Sequence, residues 1–236
     1  MMTGEELKKR INFDDYVESY ENEIRSSIGF IGQDHDFFIN VKANILMGLA
    51  KSNFKEPEHI RILDIGSGIG LIDRKISCVF RNLFGVDIEE GVIEKAKAFN
   101  PEVNYGLYNG EKLPFEDNSM DMVFTINVMH HIPPVNLEQF VDEMQRVTRR
   151  NGIAAVFEHN PLNPLTRIAV NKCEFDRDAV LITKRKMKSM FKDKFGLINE
   201  AYILFMPFKN DIFRSFESLL KWFPLGAQYY VCGKKR

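Results

Sequence analysis

The sequence predicts an α/β protein built on a doubly wound, Rossmann-like parallel sheet, and two observations carry that prediction. From Ile60 onward, short apolar runs alternate with longer amphipathic ones. That is the pattern of parallel strands whose crossover helices cover both faces of a sheet. The first run, "RILDI", breaks into the glycine-rich "GSGIG" at Gly66–Gly70. A carboxylate, Asp87, then closes the second run about twenty residues further on.

Taken in order, "IRILDI" is the first strand and "GLIDRKISCVF" the helix after the glycines. "NLFGVDI" is the second strand, and the helix "EEGVIEKAKAF" places Glu89 and Glu90 at its positive N-terminal end. After the break at Pro101 come a third strand, "VNYGLY", and a fourth, "MDMVFTIN". The helix "LEQFVDEMQRVTRR" and a fifth strand, "GIAAVFEH", follow. The last part carries two more strands, "GLINEAYILFMPF" and "GAQYYVCGKK". Between them, Phe208 to Phe223 make an apolar helical stripe expected to pack on its own domain. Upstream of Ile60, Phe13, Tyr16, Val17, Tyr20 and Ile24 have helical spacing. The loop "IGFIGQDHDFF" and a helix near "INVKANILMGLA" come next. The expected organisation is a helical extension over 1–59 and a ligand-binding domain over 60–236, in one folding unit. The extension is expected to lie as a lid across the ligand crevice, with Tyr20 among the residues that touch the ligand.

With 236 residues, 44% hydrophobic and 28% charged, the chain suits one globular core. A formal net charge of -1 argues against a broad electrostatic grip on nucleic acid. Cys78, Cys173 and Cys232 are odd in number and lack metal-ligand spacing, which suits reduced thiols in the cytosol. "MMTGEELKKR" has no apolar core of the kind a signal peptide needs, and no apolar run is long enough to span a bilayer. A cytoplasmic protein is expected.

Glycines let a ligand touch the main chain, and a carboxylate ending the second strand can hold two ribose hydroxyls. Together they point to a nucleoside-bearing cofactor. The dinucleotide fingerprint is G-x-G-x-x-G, its third glycine allowing close helix packing. Here the spacing is G-S-G-I-G, with Leu71 where that last glycine belongs. Asp64, two residues before the loop, would repel a pyrophosphate and attract a cationic sulfonium or ammonium. The charge argument favours S-adenosylmethionine over NAD. A nicotinamide-dependent oxidoreductase and a noncatalytic cofactor-binding protein are the rival readings.

"ILDIGSGIG", "GVDIEE", "NGEKLPFEDNSMDMVFTINVMHHI" and "MQRVTRRNGIAAVFEHNP" occur in order between Ile60 and Pro161. Together they resemble the class I S-adenosylmethionine-dependent methyltransferases. The resemblance implies a seven-stranded, mostly parallel sheet with a final antiparallel strand. It implies S-adenosylmethionine as methyl donor and S-adenosylhomocysteine as product. It places Asp64, Gly66, Ser67, Gly68 and Gly70 around the methionine moiety, Asp87 at the ribose and Ile88 against adenine. Asn109, Gly110 and Glu111 would lie near the base, with Asn109 standing where the family has Asp. Asn127 and Val128 would flank the sulfonium. "FEHNPLNPLTRIAVNKCEFDRDAVL" and "FPLGAQYYV" are similar to methyltransferases of sugar and surface-glycan biosynthesis. That likeness implies a sugar or nucleotide-linked sugar as acceptor and brings the "GQDHDFF" loop into the acceptor region.

Methyl transfer from a sulfonium is an in-line displacement in which the cofactor supplies the reactive group. The protein must align the nucleophile and, for a hydroxyl acceptor, remove its proton. His130 and His131 follow the fourth strand, while Glu158 and His159 end the fifth. The family topology makes those strands neighbours, so His131, His130 and His159 are the candidate catalytic residues. His35 could reach the same rim; His59 stands at the far end of the first strand. The "EHNPLNPLTR" turn after the fifth strand lies at the same rim and is expected to help bind the acceptor. The "[DN]PP[YF]" segment used to methylate base or amide nitrogens is replaced by "NVMH", and a Pro-Cys nucleophile is absent. No paired carboxylates near the rim call for a metal, so none is expected. "KRKMK" at Lys184–Lys188 reads as a solvated helix face. A small-molecule acceptor is therefore favoured over nucleic acid or protein.

Overall fold

Ile62 and Leu63 show how the sheet is built. Neighbouring strand residues point to opposite faces, so a strand covered on both sides must be apolar at every position. Ile62 packs with Phe124, Phe157 and the N-terminal helix on one face. Leu63 packs with Val123, Val156 and the helix around Phe140 on the other. Both are at most 1% exposed.

The computed structural model describes residues 35–174, 176–205 and 220–236. The expected helix carrying Tyr20 and the stripe residues from Phe208 to Leu219 lie outside the described residues. The elements run α1 (His35–Asn53), β1 (Arg61–Ile65), α2 (Leu71–Ile76), β2 (Asn82–Asp87), α3 (Glu90–Phe99) and β3 (Asn104–Leu107). They continue with β4 (Met120–Ile126), α4 (Leu137–Val147), β5 (Thr148–His159), α5 (Pro164–Lys172), α6 (Lys184–Lys192), β6 (Gly196–Ile203) and β7 (Gln228–Lys234). One seven-stranded sheet has the order β3-β2-β1-β4-β5-β7-β6. The first five strands pair in parallel. β7, the last in sequence, inserts antiparallel between β5 and β6. The expected mixed sheet is thus the observed one. From β1 the chain winds outward through β2 and β3, then returns to β4 on the other side. A crevice opens at that reversal, beyond the carboxyl ends of β1 and β4.

Several boundaries differ from expectation, and the helix expected over "GLIDRKISCVF" already ends at Ile76. The helix "LEQFVDEMQRVTRR" stops at Val147, because Thr148 pairs with Met120 and Arg149 forms an ion pair with Asp121 of β4. "HDFF" is not loop: His35 opens α1, which buries Phe37 in the core and Ile39 against the crevice. The strand expected over "GLINEAYILFMPF" ends at Ile203, where Leu204 turns to φ 61° and breaks the extended backbone. In "EHNPLNPLTR", Asn163 caps α5 by accepting from the N–H groups of Leu165 and Thr166 at 2.9 and 3.1 Å. Pro164 then supplies a first helical turn that needs no N–H. α5 thereby lies over the crevice.

Candidate active site

A cavity of about 470 Å³ fills the crevice, within the usual range of about 300–1,000 Å³ for small-molecule sites. Asp64, Gly66, Ser67 and Gly68 line it from the end of β1, and Asp87 and Ile88 from the end of β2. Asn127, Val128 and His131 follow from β4, and His159 from β5. Phe38, Ile39 and Lys42 of α1 and Thr166 and Val170 of α5 enclose the other side.

Gly66 has a backbone φ of 75°, and a Cβ there would stand 2.3 Å from Val128 Cγ2. Only glycine meets both conditions, and its N–H is fixed on the Val86 carbonyl at 2.8 Å. Gly70 serves packing instead. A Cβ on it would meet the Tyr105 hydroxyl at 2.2 Å, and the residue does not line the cavity.

Behind the loop lies a buried polar cluster. The Tyr105 hydroxyl donates to Asp73 at 2.8 Å, and Asn100 Nδ2 donates to the Gly70 carbonyl at 2.9 Å. The carboxyls of Asp64 and Asp73 are hydrogen-bonded to each other, so one of them holds a proton. Burial raises Asp64 well above the carboxylate range, with Asp73 and Asp87 adding to it, and burial brings Asp73 to about 7. The two carboxyls therefore share at most one negative charge. Asp64 therefore carries no fixed charge of its own against a pyrophosphate, contrary to the sequence-based expectation: desolvation and a second acid spread that charge over a pair.

Asp87 accepts from Gly68 N–H at 2.9 Å on Oδ2 and from Ile88 N–H at 2.7 Å and Glu89 N–H at 3.3 Å on Oδ1. Burial nonetheless raises its pKa, the backbone donors opposing. A carboxylate offers about four lone-pair sites, which leaves Oδ2 able to accept one further donor from the cavity. Ser67 Oγ is buried without a hydrogen-bond partner among the described residues and also lines the cavity. It is a second polar atom awaiting a ligand group.

At the opposite end His130 is 1% exposed and does not line the cavity. Its Nδ1 lies 2.6 Å from Glu158 and its Nε2 3.2 Å from Asp176. Burial alone would lower its pKa, but the two carboxylates raise it to about 10. It is an imidazolium clamped between two acids. Asp176, despite its burial, is pulled down to about 2, chiefly by the His130 hydrogen bond. His131 lies 3.5 Å from Asp176 and lines the cavity. Burial and the His130 charge push it down to about 4, and the same causes bring His159 to about 4. Both are neutral at pH 7 and can accept protons. Ligand atoms of His130, His131 and Asp176 all lie within 4.8 Å. That spacing would also suit a metal; here it brackets the imidazolium proton of His130.

The cavity thus brings together Asp64, Gly66, Ser67, Gly68, Asp87, Ile88, Gly110, Glu111, Asn127, Val128, His131 and His159. It does not reach Gly70, Asn109 or His130. Asn109 Oδ1 instead accepts from the N–H groups of Glu111 and Lys112 at 3.0 Å each, shaping the turn that presents Gly110. The reach of the His35 side chain is outside what the structure describes. Asp176, Gln228 and Lys42 line the cavity and were not anticipated. Asp176 and Gln228 carry no local signal, since only the chain's return brings them to the rim. Lys42 did carry one, as a charge on the apolar face of a helix.

Residues 63–156 match the family described as a methyltransferase domain. The chain is 32% identical over 127 residues to the uncharacterized methyltransferase YcgJ of Bacillus subtilis, covering 51% of this chain and 49% of that one. It is 26% identical over 125 residues to a ubiquinone biosynthesis O-methyltransferase of Rickettsia prowazekii, covering 51% and 48%. The chain spans about half the length of the curated relatives it matches. Among solved structures, an S-adenosylmethionine-dependent methyltransferase from Thermotoga maritima superposes with a TM-score of 0.67, covering 95% of this chain and 98% of that one. At 17% identity that likeness shows the shared fold. Residues 63–156 are thus similar to methyltransferase domains of the S-adenosylmethionine-dependent kind. Among the described residues, no helix is long and apolar enough to cross a membrane.

Proposed function

We propose that the protein transfers a methyl group from S-adenosylmethionine to a small-molecule acceptor, with sugars and nucleotide-linked sugars as the first class to test. The observation that carries the reading is one cavity joining the Gly66–Gly68 loop and Asp87 at one end to His131, His159 and Asp176 at the other. A cofactor end and a proton-accepting end share one enclosed space. The cofactor supplies an activated methyl group when bound. Ser67 and the loop backbone would hold its methionine part, and Oδ2 of Asp87 a ribose hydroxyl. Ile88 would offer an apolar face to the base, and Asn127 and Val128 would line the transfer position.

His131 is assigned as the group that takes the acceptor's proton, since it is neutral, lines the cavity and stands beside Asp176. His130 is a positioning residue that holds Asp176 through Nε2 while Glu158 fixes Nδ1. His159 shares the rim, with its Nδ1 3.4 Å from Gln228. The extension over 1–59 is assigned as one folding unit with the domain over 60–236. α1 supports this by packing into the sheet core through Ala43, Leu46 and Ala50.

The experiment is calorimetric titration with S-adenosylmethionine, S-adenosylhomocysteine and NAD, each alone. Binding of the first two with no response to NAD is expected. Binding of NAD alone would turn the reading into an oxidoreductase, and binding without turnover across acidic and neutral acceptors would leave a noncatalytic cofactor-binding protein.

A further inference from the structure

Lys42 stands where helical spacing calls for an apolar side chain. Ala43 and Leu46 of α1 face the core and Ile39 the crevice, and Lys42 lies among them, 7% exposed and lining the cavity. Its ammonium makes no hydrogen bond or ion pair with any described residue, and among those residues the carboxylate acting on it is Glu158, through space. Glu158 is already committed, accepting from Met129 N–H at 2.8 Å and bound to His130 Nδ1 at 2.6 Å. Burial lowers the Lys42 pKa to about 8, so the group is still cationic at neutral pH. A buried charge is costly to keep unless something pairs with it. A cation on a cavity wall without a partner among the described residues marks an anion site.

Its position says which end of the cavity the anion occupies. Lys42 interacts electrostatically with Glu158 and His159, at the end of β5. The carboxyl groups acting on Asp64 are those of Asp73 and Asp87. Lys42 thus belongs to the proton-accepting end, beside His159 and the Gln228 amide. The wall there continues along α5 through Ala169 and Val170, which suits an organic body behind a charged group.

We propose that Lys42 binds an oxyanion of the methyl acceptor, a carboxylate or phosphoryl group, so that the acceptor is an organic acid. The proposal rests on the methyltransferase reading and narrows it. It fits a nucleotide-linked sugar or a sugar acid and disfavours a neutral sugar. The cofactor's own carboxylate carries the same chemistry, and the test must separate the two sources.

The full chain, with and without saturating S-adenosylhomocysteine, is titrated with benzoate, phenyl phosphate and neutral benzamide. Lys42→Met keeps the length of the side chain and removes a buried charge, so it folds at least as well as the parent. The acids are expected to bind more tightly than benzamide. Lys42→Met should lose about tenfold or more of that binding, the scale of one charge-assisted hydrogen bond, with S-adenosylhomocysteine affinity unchanged. Equal binding of acids and benzamide, or acid binding that survives Lys42→Met, overturns the proposal. So does a loss of S-adenosylhomocysteine affinity while 5′-methylthioadenosine, which lacks the carboxylate, still binds normally; Lys42 would then serve the cofactor. Failure of the wild type to bind S-adenosylhomocysteine would sink the methyltransferase reading instead, and the titration without it still decides whether Lys42 is an anion site.

Discussion

Replacing Gly66 with alanine would force a side chain into a left-handed backbone of φ 75° and put its Cβ 2.3 Å from Val128 Cγ2. The backbone part costs about 1–2 kcal/mol, the penalty an L-residue pays in that region. The overlap adds about 1–3 kcal/mol, the usual range for overpacking. Gly66→Ala should therefore lose about 2–5 kcal/mol in urea unfolding. Val128→Ala removes the two nearest methyl groups and leaves its own Cβ at 3.3 Å. In the double variant the overlap should disappear while the backbone strain stays. The double-mutant cycle should accordingly show a favourable coupling of about 1–3 kcal/mol. S-adenosylhomocysteine affinity, read by calorimetry on the folded fraction, should recover in parallel, because the same contact sets the loop against the cavity. Two results would refute the reasoning: Gly66→Ala within about 1 kcal/mol of wild type, or strictly additive single variants.

Other perturbations read the remaining parts of the site. Asp87→Ala strands the N–H groups of Gly68 and Ile88 and removes the cavity-facing acceptor. S-adenosylhomocysteine binding should weaken by about 1–3 kcal/mol; unchanged affinity would sink the ribose assignment. His131→Ala should slow methyl transfer while the calorimetric affinity for S-adenosylhomocysteine holds, whereas parallel losses in both would mark a structural role. His130 has an ordinary pKa of 6.5 raised to about 10, so its stabilisation is complete below pH 6.5 and fades as pH rises through about 10. The stability difference between wild type and His130→Gln should shrink over that window, and a difference that stays flat would mean no clamped imidazolium. His131 and His159, lowered to about 4, act with the opposite sign: their contribution is present above pH 6.5 and is lost as pH falls through about 4. Acid unfolding of His131→Gln should begin at a lower pH than that of wild type.

The sequence by itself determined the sheet and the glycine-loop end of the cavity. Continuous apolar runs such as "RILDI" must be buried on both faces. Gly66, Gly68 and Asp87 are spaced by local geometry, within one strand–loop–helix–strand unit, so their meeting needs no long-range information. Tertiary structure alone decided the rest. Thr148–Arg150 read as helix from their neighbours but belong to β5, because the Asp121 contact with Arg149 forms only once β4 lies alongside. Asp64 reads as a charge, yet shares a proton once Asp73 is folded against it in a dry interior. His130 and His131 are adjacent in sequence and opposite in state. Glu158 and Asp176 close on the first, and its charge keeps the second neutral. Protonation depends on distances between residues far apart in the chain, and those distances exist only in the fold.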